Sequence, residues 1–221
     1  MLDTETMLRA VYSTTWLKAS NMDVVVATAQ DYLNDLTNFL SPYWSNKIVN
    51  TVLLELVAGY AIAISRKART MSAKAMGGSI NPQEAIAQLA SDIHTLREFF
   101  EATTSASVVE AYLLPLQDIA SILSAPAEEL ADVATAIAAR GAPLDTLTIR
   151  VIQQLYPLRD DYRRRNKSER ERVVAACSSR IAAAAAAVAV DTTRTSAIFT
   201  RMVDGVPGGL LLKLTRNFSS R

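Results

Sequence analysis

One cysteine, Cys177, and one histidine, His94, are the whole supply of thiol and imidazole in 221 residues. A lone thiol has no partner for an internal disulfide and fits a reducing compartment. A four-ligand zinc site is excluded unless carboxylates supply most of it. Aromatics make up only 6% of the chain and glycine and proline number seven each, whereas half of the residues are hydrophobic. That balance favours packed Ala, Leu and Val helices over strands and turns. Charge is nearly even, 23 Lys plus Arg against 22 Asp plus Glu. No bulk field therefore draws the molecule to nucleic acid or to an acidic membrane, and an electrostatic partner must meet a local patch. Met1-Leu2-Asp3-Thr4-Glu5 is not a basic stretch followed by an apolar core, so no secretory signal is read. The longest apolar stretches, 52–64 and 181–190, fall short of the roughly 18 to 20 residues that span a bilayer, and the first contains Glu55.

What is present is helical periodicity. Leu8, Val11, Tyr12, Trp16 and Leu17 predict a first helix that ends at Ala19-Ser20-Asn21. From Met22 to Leu40 a second is predicted, with Val25, Ala29, Tyr32, Leu36 and Phe39 on the buried stripe and Asn34, Asp35 and Asn38 toward water. Pro42 breaks the chain, and Ser45 caps a long helix whose seam is Val52, Leu56, Gly59 and Ala63. A loop is read over 75–80 at the paired glycines Gly77 and Gly78. Asn81-Pro82-Gln83-Glu84 is a helix start with a capping residue, a proline at the first helical position and a glutamate placed for a capping box. Ile86, Leu89, Ile93, Leu96 and Phe100 follow at steps of three and four. Val109, Tyr112, Leu116, Ile119 and Leu123 repeat the rhythm, with a kink expected at Pro115.

Ser124-Ala125-Pro126 opens a further helix closed by Gly141, and Pro143 and Asp145 start a short one that Pro157 ends. A second capping box is read at Ser168 and Glu171, leading to Val174, Cys177, Ile181, Ala184 and Val188 on one face, with Ala182 to Ala187 permitting close helix approach. A short helix over 197–203 precedes Gly205, Pro207, Gly208 and Gly209, after which Leu210 to Leu212 dock as a final segment. The fold class is all-α, a stacked antiparallel bundle of about eight helices joined by short connections. No fixed period of a regular solenoid is visible. One domain over 1–221 is expected, with the last 10–15 residues flexible.

Raw material for catalysis is scarce, and no catalytic, cofactor-binding or metal-binding residue is read. His94 sits beside Ile93 as a boundary residue and Cys177 as a small buried hydrophobe. Gly77-Gly78 and Gly208-Gly209 lack the lysine and strand of a phosphate loop, and the acidic pairs Glu128-Glu129 and Asp160-Asp161 point apart on a helix. The most unusual stretch runs from Arg159 to Arg170. Its cations Arg159, Arg163, Arg164, Arg165, Lys167 and Arg170 form either a solvated linker or a patch for an acidic partner or anionic lipid surface, where each exposed cation is worth about 1 kcal/mol.

The order of motifs resembles a family. Trp16-Leu17, then Val24 to Thr28, then Asp31-Tyr32-Leu33-Asn34-Asp35 is similar to the opening of the C-terminal region of the exocyst Sec-six subunit. Asp92 through Leu96 to Phe99-Phe100 resembles its Asp-x-x-x-Leu-x-x-Phe-Phe segment, and Tyr156-Pro157-Leu158-Arg159-Asp160-Asp161 resembles its Tyr-Pro motif ending in Arg-Asp-Asp. The likeness runs in order over roughly 16–203, and departs in the Ala-rich late helices, at 76–80 and in a one-residue shortening between Pro157 and Arg159. It implies helical bundles stacked into a rod and a C-terminal piece of a cytoplasmic subunit, peripheral at the plasma membrane at sites of secretion. It also implies a role in tethering secretory vesicles before SNARE-mediated fusion; from the composition, no cofactor and no nucleic-acid partner are expected. The implied partners are other exocyst subunits, a plasma-membrane SNARE or a membrane-anchoring factor. The alternatives are a peripheral phosphoinositide-binding helical module, or an adaptor of the related tumour-necrosis-factor-induced Sec-like proteins that remodel membranes. Tyr32, Leu36, Leu96, Phe99, Phe100 and Tyr156 are expected to fix the fold, with Asp31 or Asp35, if buried, capping or pairing locally.

Overall fold

The computed structural model describes residues 3–18, 21–73, 80–140, 144–184 and 193–204. The helices are α1 (Thr4–Met7), α2 (Asn21–Thr37), α3 (Pro42–Ala73), α4 (Pro82–Glu101), α5 (Ala106–Ser124) and α6 (Leu130–Ala138). After them come α7 (Leu144–Leu155), α8 (Asp160–Arg164), α9 (Lys167–Ala184) and α10 (Thr193–Asp204), with a 3₁₀ turn at Tyr156–Leu158 between α7 and α8. No strand occurs among the described residues. Eight of the helices read from the sequence are present, and the other two among the described residues, α1 and α8, are at four and five residues too short to leave a periodic signature.

The axis of the bundle is α3, 32 residues and about 48 Å long. Pro42 does not break the chain before this helix; it begins it, where a missing N–H costs nothing, and Ser41 C=O accepts from Ser45 N at 3.0 Å. Nor is α3 one-sided. Val52, Leu53, Leu56, Val57, Tyr60, Ala61 and Ile64 are all buried, because α1, α2, α5, α7 and α10 surround it, while the predicted seam residues Gly59 and Ala63 lie at its half-exposed edge. Counted over whole helices, Pro42–Thr70 and Ala106–Ser124 are long and apolar enough to cross a membrane, longer than the uninterrupted apolar stretches suggest. The bundle buries 67% and 44% of their most apolar windows, and the one carboxylate in the centre of α3, Glu55, is paired with Arg201.

The expected first helix over 8–17 is absent. Leu8, Val11, Tyr12 and Trp16 are buried, but the chain passes through turns there, with Tyr12 at φ 60°. A left-handed tyrosine costs about 1–2 kcal/mol. It is held by burial and by stacking on Trp16, ring centroids 5.6 Å apart. Trp16 in turn donates from Nε1 to Asp92 Oδ2 at 2.7 Å, and Tyr60 OH donates to the same oxygen at 2.6 Å. Gln88 Nε2 donates to Asp92 Oδ1 at 2.9 Å. One buried carboxylate thus ties the N-terminal turns, α3 and α4 together. Burial and the adjacent Asp92 charge push the Tyr60 phenol well above its ordinary value, so it stays a donor.

On α2 the buried stripe is Met22, Val25, Ala29 and Leu33. Tyr32 and Leu36 are half-buried, and Phe39 lies beyond the helix end, 87% exposed. Asp31 and Asp35 are exposed rather than buried. On α4 and α5 the predicted stripes are buried, except for half-buried Ile86, and α5 runs on through Pro115. The α4 start differs in one detail: Asn81 Oδ1 accepts from Gln83 N at 3.0 Å, but Glu84 answers to the Asn81 side-chain amide at 3.2 Å, not to its backbone. After Pro126 a single turn intervenes before α6 begins at Leu130. In α9 only Cys177 and Ile181 are buried, and Ala182 and Ala183 face solvent. The predictions at Gly77-Gly78, Gly141, Pro143, Val188 and from Gly205 to Leu212 lie outside the described residues.

Candidate interaction site

The charged stretch after α7 folds into an elbow. Arg159 is not on its surface: its side chain is 3% exposed and crosses to the end of α5. There Nη1 donates to Ile122 C=O, Nη2 to Ala125 C=O at 2.7 Å, and Nε to Asp161 Oδ1 at 2.9 Å. The last carbonyls of a helix have no partner within it and carry its negative end. Arg159 is the cap of α5, and that explains an arginine in the third-last place of the Tyr-Pro motif.

Four other cations of the elbow have local partners. Arg164 pairs with Asp160, Arg165 Nε with Asp161 Oδ2 at 3.4 Å, and Lys167 with Glu171 at 3.9 Å. Arg170 donates from Nε to Tyr162 C=O at 2.8 Å and lies 3.8 Å over the Tyr162 ring. Arg163 belongs to α8, and its side chain lies outside the described residues. The capping box of α9 is formed by Asn166 and Glu169, each side chain accepting from the other's backbone N–H at 3.0 and 2.8 Å, two residues before the predicted Ser168 and Glu171. Among the described side chains of the elbow, Arg164 and Lys167, 75% and 89% exposed, are the most solvent-facing of the paired cations, and exposed pairs of this kind contribute little stability.

The two reactive side chains stand apart. His94 is exposed on α4, with Nε2 3.3 Å from Glu98 Oε1. Cys177 is buried in α9 beside a groove of about 350 Å³ between α6 and α9. Burial pushes its thiol up, only partly opposed by Arg159, so the thiolate is disfavoured. Among the described residues no three His, Cys, Asp or Glu side chains gather around a common point that would hold a metal ion.

The surface that sequence reasoning missed is the corner between α2 and α3. Every residue from Asn38 to Trp44 is exposed except half-buried Leu40. Phe39 is 87%, Tyr43 63% and Trp44 40% exposed. Tyr43 and Trp44 meet edge to face at 5.3 Å, and Lys47 Nζ lies 5.3 and 5.2 Å from their ring centroids. These are the exposed aromatic side chains among the described residues. The available signal was the absence of any charged residue from Leu36 to Asn46 in a chain that is 20% charged. Phe39 was read instead as the continuation of the α2 stripe.

Compared with known families, residues 1–162 match the model of exocyst complex component Sec6. No curated protein and no solved structure matches the chain. The family match takes in α1 to α7 and the elbow as far as Tyr162, so all three motif regions, with Trp16, Asp92 and Arg159, fall inside it.

Proposed function

The chain belongs to the family of exocyst complex component Sec6, and from that premise we propose that it forms the C-terminal helical bundle of a non-catalytic subunit that tethers secretory vesicles by binding other proteins. The family itself is that of a structural tethering component of the exocyst. The observation that carries the proposal is the family match over 162 of 221 residues. The geometry supports it from another side. The distinctive polar residues of the motifs are consumed in packing: Asp92 by Trp16 and Tyr60, Arg159 by the end of α5. A scaffold held in this way offers surfaces rather than a reactive cleft.

The partners proposed are other exocyst subunits and a plasma-membrane SNARE, with the protein acting in the cytoplasm at sites of secretion. Affinity purification of the full-length protein followed by mass spectrometry tests this. Other exocyst subunits should co-purify, with the SNARE in lower yield. A bait that retains its helical circular dichroism yet recovers neither overturns the proposal.

A further inference from the structure

Aromatic rings left in water need a reason when the other aromatic side chains among the described residues are buried or half-buried. Phe39, Tyr43 and Trp44 lie within six residues of one another at the exposed corner between α2 and α3. Immediately behind them the surface turns polar on both sides: Asp31, Asn34, Asp35 and Asn38 are exposed on the α2 flank, Asn46 and Lys47 on the α3 flank. A protein interface of ordinary size covers about 800 Å² on each partner, more than three aromatic side chains of about 150–250 Å² each supply at these exposures. A cap of this size, apolar at its end and polar one helical turn back, fits instead the boundary zone of a lipid bilayer. Trp and Tyr concentrate there, and shallow insertion reaches about 5–10 Å.

We propose that the α2–α3 corner is a lipid-binding site that inserts Phe39, Tyr43 and Trp44 into the interfacial zone of a phospholipid bilayer, with Lys47 at headgroup level. This goes beyond membership of a tethering complex and rests on it only for the presence of a membrane nearby. Charge sets the expected lipid preference. Lys47 supplies one positive charge, while Asp31 and Asp35 are exposed on α2. Attraction to anionic lipid is therefore weak, and insertion runs on the aromatic surface. The elbow of Arg164, Arg165 and Lys167, whose charges are paired, has no part in it.

The chain carries its own reporter. Of its two tryptophans Trp16 is 1% exposed and Trp44 is 40% exposed, so a change in quenching by acrylamide reads Trp44. Titration with phosphatidylcholine vesicles, with and without phosphatidylserine, should shift the emission to the blue and protect it from acrylamide, with little dependence on phosphatidylserine or salt. Phe39→Ser is expected to weaken vesicle binding by about ten- to hundredfold, from the apolar surface removed. Tyr43→Ser should do likewise, each with unchanged circular dichroism because the positions are exposed. Lys47→Gln should change binding less than threefold. Absence of both spectral shift and vesicle flotation overturns the proposal. So does binding that requires phosphatidylserine and is lost on Lys167→Glu, which would move the site to the elbow. Corner variants that keep vesicle binding but fail to recover another exocyst subunit would make the corner a protein-docking surface. Because exocyst assembly is read in a separate purification, failure here leaves the family function standing.

Discussion

The helix α10 lies beyond the residues matched by the family, and a single buried ion pair offers a measure of how firmly it belongs to the bundle. Glu55 is 4% exposed and Arg201 16%, and the guanidinium meets the carboxylate at both oxygens, 3.1 and 2.8 Å. Around the pair Ser65 Oγ donates to Met202 C=O at 3.1 Å and Gln154 Nε2 to Val203 C=O at 3.1 Å. Ile198, Phe199 and Met202 are fully buried. Arg201→Met strands a carboxylate in the core, which costs about 3–5 kcal/mol. For a domain of this size that lowers Tm by roughly 6 to 20 °C. Glu55→Met strands Arg201, but the guanidinium is closer to water, so the cost is about 1–3 kcal/mol. The double variant leaves no unpaired charge and should return to within about 2 kcal/mol of the parent, because an apolar pair of similar volume replaces a buried ion pair at little net loss. Urea unfolding of all four proteins gives the coupling energy directly. An Arg201→Met cost below about 1 kcal/mol together with simple additivity would refute the reasoning. It would mean that α10 is not seated on Glu55.

Asp118 accepts from Arg140 at 2.9 and 2.5 Å, yet burial pushes its carboxyl above the ordinary 3.8. The unfolded chain therefore ionises first, and the stability of the parent relative to Asp118→Asn should fall as pH rises from 3.8 through the raised value, then level off. A constant difference across that range in pH-resolved urea titrations would contradict it. Cys177 is buried with its thiol pushed up, so labelling by a thiol-specific disulfide reagent should follow global unfolding in urea rather than run ahead of it. Asn166→Ala removes the α9 cap and should cost about 0.5–2 kcal/mol in thermal melts, whereas Ser168→Ala should cost far less. Arg159→Lys keeps the charge but cannot fork to two carbonyls and a carboxylate at once, and should destabilise the fold by about 2–4 kcal/mol.

The fold was most legible where one face of a helix is buried and the other is wet. Leu89, Ile93, Leu96 and Phe100 on α4, and Val109, Tyr112, Leu116 and Ile119 on α5, show the spacing that burial of one face imposes. It was least legible where burial comes from all sides or from no regular element. In α3 the apolar residues surround the helix, so no seam stands out and the two edge positions, Gly59 and Ala63, were taken for part of one. Over 8–17 the apolar spacing suits a helix. Which conformation wins is decided by a contact 76 positions along the chain, Trp16 to Asp92, and local periodicity carries no trace of it. At α9 two overlapping boxes were possible, and the choice fell to Asn166 rather than Ser168 where the chain leaves α8.

The candidate site was harder to read, for a related reason. A run of cations looks like a surface until one knows which guanidinium turns inward. The target of Arg159 is a pair of backbone carbonyls, Ile122 and Ala125, which any side chains at those positions would present. The polar residues by which this chain resembles its family, Trp16, Asp92 and Arg159, are each committed to a buried partner, so changing one strands another donor or acceptor at about 1–3 kcal/mol. Such positions are costly to vary and therefore make a good signature, but they report the scaffold. A surface that meets a partner or a membrane has the opposite property. Phe39, Tyr43 and Trp44 hold up little of the fold, and of the three motif regions none includes them. The motif residues that carry the resemblance and the corner proposed to meet a membrane are thus different residues within the same matched stretch.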